Sequence, residues 1–92
     1  MKSLRFERLE RGTYKAFLHA DGFSIPVPEE IFNQLTEMLS SPPNVFLSAL
    51  IEKVGYNRYL KGLLETAIQK AGDPVEISKS LQEELRKIEI RG

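Results

Sequence analysis

The chain has 92 residues, thirteen basic and thirteen acidic side chains, and no cysteine, which excludes disulfides, thiolate catalysis and every zinc site built with cysteine. Hydrophobic residues make up 41% and charged residues 28%, as in an ordinary globular domain, so we expect one domain over residues 1–92. No apolar run approaches the roughly 20 residues that span a bilayer. The lack of disulfides and of an apolar leader favours the cytoplasm.

The neutral total conceals an uneven distribution of charge. Residues 1–20 carry five basic and two acidic side chains, whereas residues 21–43 carry four acidic side chains and no basic one. Proteins that bind nucleic acid non-specifically normally have a clear basic excess, because neutralising phosphates supplies most of their affinity. The sequence therefore disfavours that class, although it leaves room for a local basic face.

Residues 1–27 have the alternating pattern of β-strands. The turn signals Arg11-Gly12 and Asp21-Gly22 separate three short runs, and Pro26 places the last run at a sheet edge because proline donates no hydrogen bond. This pattern predicts a three-stranded antiparallel meander. The positions that we expect to face inward are Leu4, Phe6, Tyr14, Ala16, Leu18, Phe23, Ile25 and Val27.

The sequence from residue 28 onwards predicts about three helices packed on one face of the sheet. Pro28 with Glu29-Glu30 begins a helix over residues 28–40. A helical hairpin over residues 44–72 follows, with Asn44 as N-cap and Gly55 and Gly72 as helix ends. Apolar residues recur at helical spacing in its second half, and we expect Leu60, Leu64 and Ile68 to form its core.

The C-terminal segment, residues 75–91, is ambiguous. Leu81, Leu85 and Ile88 fit a helix over about residues 78–88, whereas Val75/Ile77 and Ile88/Ile90 also fit short strands. Because strands come first and helices after, the fold class is α+β.

No catalytic motif is visible. His19 is the single histidine and Asp21 follows it closely, but a metal site needs three or four ligands and the chain has neither a second histidine nor a cysteine to complete one. Glu29-Glu30 suits a helix dipole, and Glu83-Glu84 is typical of a solvated helix face. We therefore expect no enzymatic activity, no metal and no cofactor.

The outer face of the predicted sheet is the first candidate surface. If the inward set above is correct, Arg5, Lys15, Phe17 and His19 face outward together. An exposed aromatic ring among basic groups fits the centre of a protein interface, with a second copy or another protein, and it also fits stacking on single-stranded bases. The remaining alternative is that the C-terminal segment covers Phe17.

The second candidate surface surrounds Gly55. The stretch Ile51-Glu52-Lys53-Val54-Gly55-Tyr56-Asn57-Arg58 resembles the turn region of bacterial helix-turn-helix regulators, which implies nucleic-acid contacts on the following helix. The alternative is a plain helical hairpin with a solvated face, and Glu65 within that face counts against DNA. The candidate contacts are Asn57, Arg58, Lys61, Gln69 and Lys70.

One further resemblance concerns residues 22–30. Gly22-Phe23-Ser24-Ile25-Pro26-Val27-Pro28-Glu29-Glu30 is similar to the strand-to-helix segment of AbrB/MazE-type swapped-hairpin antitoxins, and nothing after Glu30 matches. The sequence favours a small non-enzymatic module that acts by protein–protein contact, as adaptors, inhibitors and antitoxins do, including phage-encoded ones, and that associates with itself. The alternative function is a small DNA- or RNA-binding regulator using the segment around Gly55.

Overall fold

A computed structural model describes residues 4–11, 14–20 and 22–91. Its three strands form one antiparallel sheet in the order β1-β2-β3, and the helices follow in sequence. This confirms the predicted α+β class and the three-stranded meander, with four helices rather than about three. The elements are β1 (Arg5–Arg11), β2 (Tyr14–Ala20), β3 (Phe23–Pro28), α1 (Glu29–Thr36), α2 (Pro43–Val54), α3 (Arg58–Ala71) and α4 (Pro74–Arg91).

The register of the sheet aligns polar groups of all three strands across its outer face. On β2, His19 pairs with Arg5 of β1 and with Ser24 of β3, and Phe17 pairs with Glu7 of β1. Arg11 of the first predicted turn is the last residue of β1, whereas Gly12 of that turn and Asp21 of the second turn lie outside the described residues. Gly22 of that second turn has a φ of 84°, a conformation that glycine adopts without strain.

The inner face of the sheet is largely as predicted, with one correction. Ala16, Leu18 and Val27 are fully buried, whereas Tyr14 is 41% exposed and its ring stacks on that of Phe17. The register shifts between Tyr14 and Ala16. Such a bulge breaks the alternation of side chains along a strand, and it places Tyr14 beside the outward-facing Phe17.

The first two helices differ from the prediction at their ends. α1 stops at Thr36, and residues 37–41 continue as tight turns in which the Ser41 N–H donates to the Met38 carbonyl at 3.0 Å. α2 starts at Pro43 without a side-chain cap, so Asn44 as N-cap was wrong. A proline in the first turn suits a helix start because its φ is already helical and its missing N–H would have no partner there.

One face of α2 is buried against the rest of the fold. Phe46 is fully buried and is the largest of the fully buried side chains, whereas its neighbour Val45 is 42% exposed. Phe46, Leu50 and Val54 follow one another at four-residue spacing and bury one continuous stripe. The described core cluster combines this stripe with the inner face of the sheet and with residues of the other helices.

α4 resolves the ambiguity of the C-terminal segment. Residues 74–91 form one helix of 18 residues, so the strands considered at Val75/Ile77 and Ile88/Ile90 were wrong. The Asp73 carboxylate accepts from the Val75 N–H at 2.9 Å, and Glu76 lies in the first turn. An acidic cap followed by proline and by an acid three residues later is a helix-start signature, and it outweighs the local β-preference of Val75.

α4 packs alongside α2 and against β1, and it protects the edge of the sheet. The Phe6 N–H donates to Glu84 Oε1 at 2.9 Å, so Glu84 is not part of a purely solvated helix face. Ser78, which is fully buried, donates to the Pro43 carbonyl at 2.6 Å. No helix within the described residues is long and apolar enough to cross a membrane.

Candidate interaction surfaces

The structure brings the four residues of the predicted interface together on the outer face of the sheet. Arg5 lies directly opposite His19, and Phe17 and Lys15 precede His19 on the same strand. Arg5 and Lys15 are exposed, whereas Phe17 and His19 are half-buried. The alternation along β2, where Ala16 and Leu18 are fully buried, fixes Phe17 on the opposite face from the core.

Three rings form a continuous row along β2, which we call the aromatic strip: Tyr14, Phe17 and His19. The ring centroids of Tyr14 and Phe17 lie 6.4 Å apart with planes 28° from parallel, and those of Phe17 and His19 lie 5.9 Å apart at 57°. These separations are within the range of favourable aromatic pairs. Among the described residues, the rings that contact Phe17 are those of Tyr14 and His19 on its own strand.

A chain of polar contacts crosses all three strands beside the aromatic strip, and we call it the polar tie: Glu7, His19 and Ser24. The Nε2 atom of His19 lies 2.5 Å from Glu7 Oε1, and its Nδ1 atom lies 2.6 Å from Ser24 Oγ. Because a carboxylate can only accept a hydrogen bond, Nε2 carries the proton in the contact with Glu7. Arg5 Nη1 approaches the same Glu7 oxygen at 3.9 Å.

Sequence reasoning missed the polar tie, although a signal for it existed. A two-residue turn at Asp21-Gly22 pairs Ala20 with Phe23, and the next pair along the two strands is His19 with Ser24. The considered partner of His19, Asp21, lies outside the described residues. His19 instead contacts residues 12 and 5 positions away in sequence, and only the strand register brings them together.

Both edges of the sheet are poor docking sites for another strand. The edge of β1 is engaged by α4 through Glu84. The opposite edge strand, β3, contains Pro26 and Pro28, which have no N–H to donate to an added strand. The outer face of the sheet is therefore more open to contact than its edges are.

A groove of about 510 Å³ runs along the exposed side of α3 and reaches Phe23 at the start of β3. Tyr59 is 74% exposed at the rim of this groove. Its other lining residues are Arg58, Gly62, Leu63, Thr66, Ala67 and Lys70.

The residues proposed for nucleic-acid contact do not all share one surface: Arg58, Lys61 and Gln69 lie on one side of α3, and Lys70 lies apart from them. Arg58 and Lys70 both line the α3 groove, but Lys61 and Lys70 are nine residues apart, about two and a half helical turns, and so lie on opposite sides of α3. Gln69 is exposed outside the groove lining. Asn57 is the N-cap of α3, where its side-chain oxygen accepts from the Leu60 N–H at 2.8 Å.

Within the described ranges, no group of three or more His, Asp or Glu side chains is placed to hold a metal ion. Comparison with protein-family models, with curated proteins and with solved structures finds no match to this chain.

Proposed function

We propose that this chain is a small non-enzymatic binding module that acts by protein–protein contact and associates with itself through the outer face of its sheet. The observation that carries the proposal is the position of the aromatic strip. The helices bury the opposite face of the sheet, so Tyr14, Phe17 and His19 are left at the surface. Aromatic side chains surrounded by polar groups are the usual centre of a protein interface.

The charges around the aromatic strip favour a second copy as the partner. Glu7 supplies one acidic group, and Arg5 and Lys15 supply two basic groups on the same face. In a two-fold symmetric dimer each copy presents this face to the other, so Glu7 of one copy can lie near Lys15 or Arg5 of the next. A face that carries both signs of charge can therefore pair opposite charges across a two-fold axis.

The area of this face is small compared with that of a stable protein interface. Three strands of about seven residues cover roughly 340 Å² in projection. A standard stable interface buries about 800 Å² on each partner. Self-association through this face alone is therefore weak and concentration-dependent, as in transient signalling contacts.

The polar tie supports the non-enzymatic part of the proposal, although it contains the residue types of a hydrolase triad. A working triad needs an activated serine beside a preorganised oxyanion site in a concave, water-excluding setting. Glu7 and Ser24 are exposed on the face of a sheet, and the α3 groove includes no member of the tie. The role that fits this geometry is structural: the tie holds the His19 ring against Phe17.

The alternative, a nucleic-acid-binding regulator, has less support. A recognition helix presents its contacts on one side to a groove of DNA. Lys70 lies on the opposite side of α3 from Lys61, and the exposed acidic Glu65 lies on the same side as Arg58 and Lys61. Asn57 is engaged in capping the helix. We expect only weak, salt-sensitive duplex binding.

Sedimentation velocity over a wide concentration range tests the proposed self-association. Wild-type protein should shift from monomer towards dimer as its concentration rises, and Phe17→Ser should abolish the shift because it removes the centre of the aromatic strip. Tyr56→Ser is the matched control, since Tyr56 is 61% exposed in the turn between α2 and α3, away from the sheet. A wild type that stays monomeric at millimolar concentration, or an equal loss in both variants, would contradict the proposal.

A further inference from the structure

We infer that the α3 groove docks an amphipathic, acidic α-helix from a partner protein. This site is separate from the sheet face and does not depend on self-association. It goes beyond the proposed function by assigning a second surface and the chemistry of its partner. The lining of the groove, its charges and its shape support this assignment.

The groove has an apolar interior between two cations. Leu63 and Phe23 are half-buried and Ala67 is buried, and they provide the apolar surface. Arg58 and Lys70 stand at either end, twelve residues apart, which is about 18 Å along the helix axis. Neither cation makes an ion pair with any described residue. The matching partner has apolar side chains in the middle and acidic groups spaced by about three helical turns.

Gly62 is the residue that the chain's own packing does not explain. It lies within α3, where glycine is less stable than alanine by about 1 kcal/mol. An added Cβ at this position would meet nothing within 4 Å, so no internal contact requires glycine here. The bare backbone opens the middle of the groove and allows a second helix to approach α3 closely.

The shape of the groove favours a helix over other occupants of similar charge. Except for Phe23, its lining residues lie on α3, whose backbone groups are largely paired within the helix. An extended peptide would therefore find few backbone partners, whereas a helix satisfies its own. The rim is open, with Tyr59 largely exposed, whereas small-molecule sites bury most of their ligand.

The test begins with panning of a displayed library of random 16-residue peptides against the full chain, with the Gly62→Gln variant as counter-selection. Glutamine is a good helix former and its side chain fills the middle of the groove, so this variant should keep or raise the unfolding midpoint while losing binding. Enriched peptides should carry an excess of Asp and Glu, with apolar residues at three- and four-residue spacing. No enrichment over the counter-selection, or enrichment of basic peptides, would overturn the proposal.

Fluorescence anisotropy with one enriched peptide then locates the contact. Arg58→Gln and Lys70→Gln should each weaken binding by about two- to five-fold, as exposed charge pairs do, and Gly62→Gln by at least about ten-fold. Lys61→Gln is the charge-matched control on the opposite side of α3 and should leave binding unchanged. Equal losses for Lys61 and Lys70, or displacement of the peptide by a single-stranded oligonucleotide at lower concentration than by unlabelled peptide, would refute the helix as occupant.

The two proposals fail separately. Phe17→Ser should leave peptide binding intact, and Gly62→Gln should leave the concentration dependence of sedimentation intact. A loss of both properties in either variant would show that one surface serves both contacts and would contradict the assignment of the groove as a separate site.

Discussion

Gly55 and Gly62 are seven residues apart, and the space around the glycine differs sharply between the two positions. A Cβ added at Gly55 would lie 2.7 Å from the Ile51 carbonyl oxygen and 2.9 Å from the Lys61 Cα. Both are backbone atoms and cannot rotate away, so glycine is required for the close approach of α2 to the first turn of α3. At Gly62 the same atom would meet open space.

The two glycines therefore predict opposite effects of the same substitution. Gly55→Ala should lower the free energy of unfolding by about 1–3 kcal/mol through overpacking, whereas Gly62→Ala should raise it by about 0.5–1 kcal/mol through helix propensity. Urea denaturation of both variants checks this. If Gly55→Ala had the same free energy of unfolding as the wild type, the close approach of α2 to the first turn of α3 at Gly55 would be contradicted.

At the scale of elements, α4 is the helix that completes the sheet. It contacts α2 most extensively and β1 next, and side chains along it also reach the turn after α1, where Gln82 donates to the Ser41 carbonyl at 3.1 Å. The Glu84 contact with the Phe6 N–H ties the end of the chain to its beginning. Edge strands need such cover because unpaired backbone groups recruit other chains.

Removing the Glu84 carboxylate should expose this edge. Glu84→Ala should lower the free energy of unfolding by roughly 1 kcal/mol, because the Phe6 N–H loses its charged acceptor, and amide exchange at Phe6 should become faster. Glu83→Ala is the matched control, since among the described residues Glu83 contacts Arg86 in an exposed ion pair at 3.0 Å, worth a few tenths of a kcal/mol. Unchanged exchange at Phe6 would contradict the role assigned to Glu84.

At the scale of the whole molecule, one cluster joins the inner face of the sheet to buried residues of all four helices. Leu64 is fully buried in this cluster and Ile68 is nearly fully buried, whereas Leu60 is partly buried and packs against the cluster. The predicted core of α3 is thus confirmed at two of three positions. Since every helix contributes to the same cluster, loss of one buried side chain weakens the packing of several elements together.

Leu64→Ala should accordingly lower the free energy of unfolding by about 2–5 kcal/mol, a large share of the roughly 5–15 kcal/mol typical of a small domain. Lys61→Ala, three residues earlier and exposed, should change it by less than about 0.5 kcal/mol. Thermal or urea unfolding measures both. Similar effects of the two substitutions would mean that the buried face of α3 has been assigned wrongly.

The sequence by itself determined the order of strands and helices, because period-two and period-3.6 patterns and the residues at turns and caps are local signals. It also placed Arg5, Lys15, Phe17 and His19 on one face, since alternation along a strand follows from backbone geometry alone. Where local signals competed, as in residues 75–91, the sequence was ambiguous, and burial of Leu81 and Leu85 against α2 and β1 decided for helix.

Only the tertiary structure decided the features that join distant positions. The polar tie depends on the register of three strands, and the bulge that turns Tyr14 outward breaks the alternation from which its burial was predicted. The α3 groove depends on how α3 lies against Phe23, which no helical pattern encodes. Local propensities determine the elements, but the packing of side chains from different elements determines which surfaces remain open for a partner.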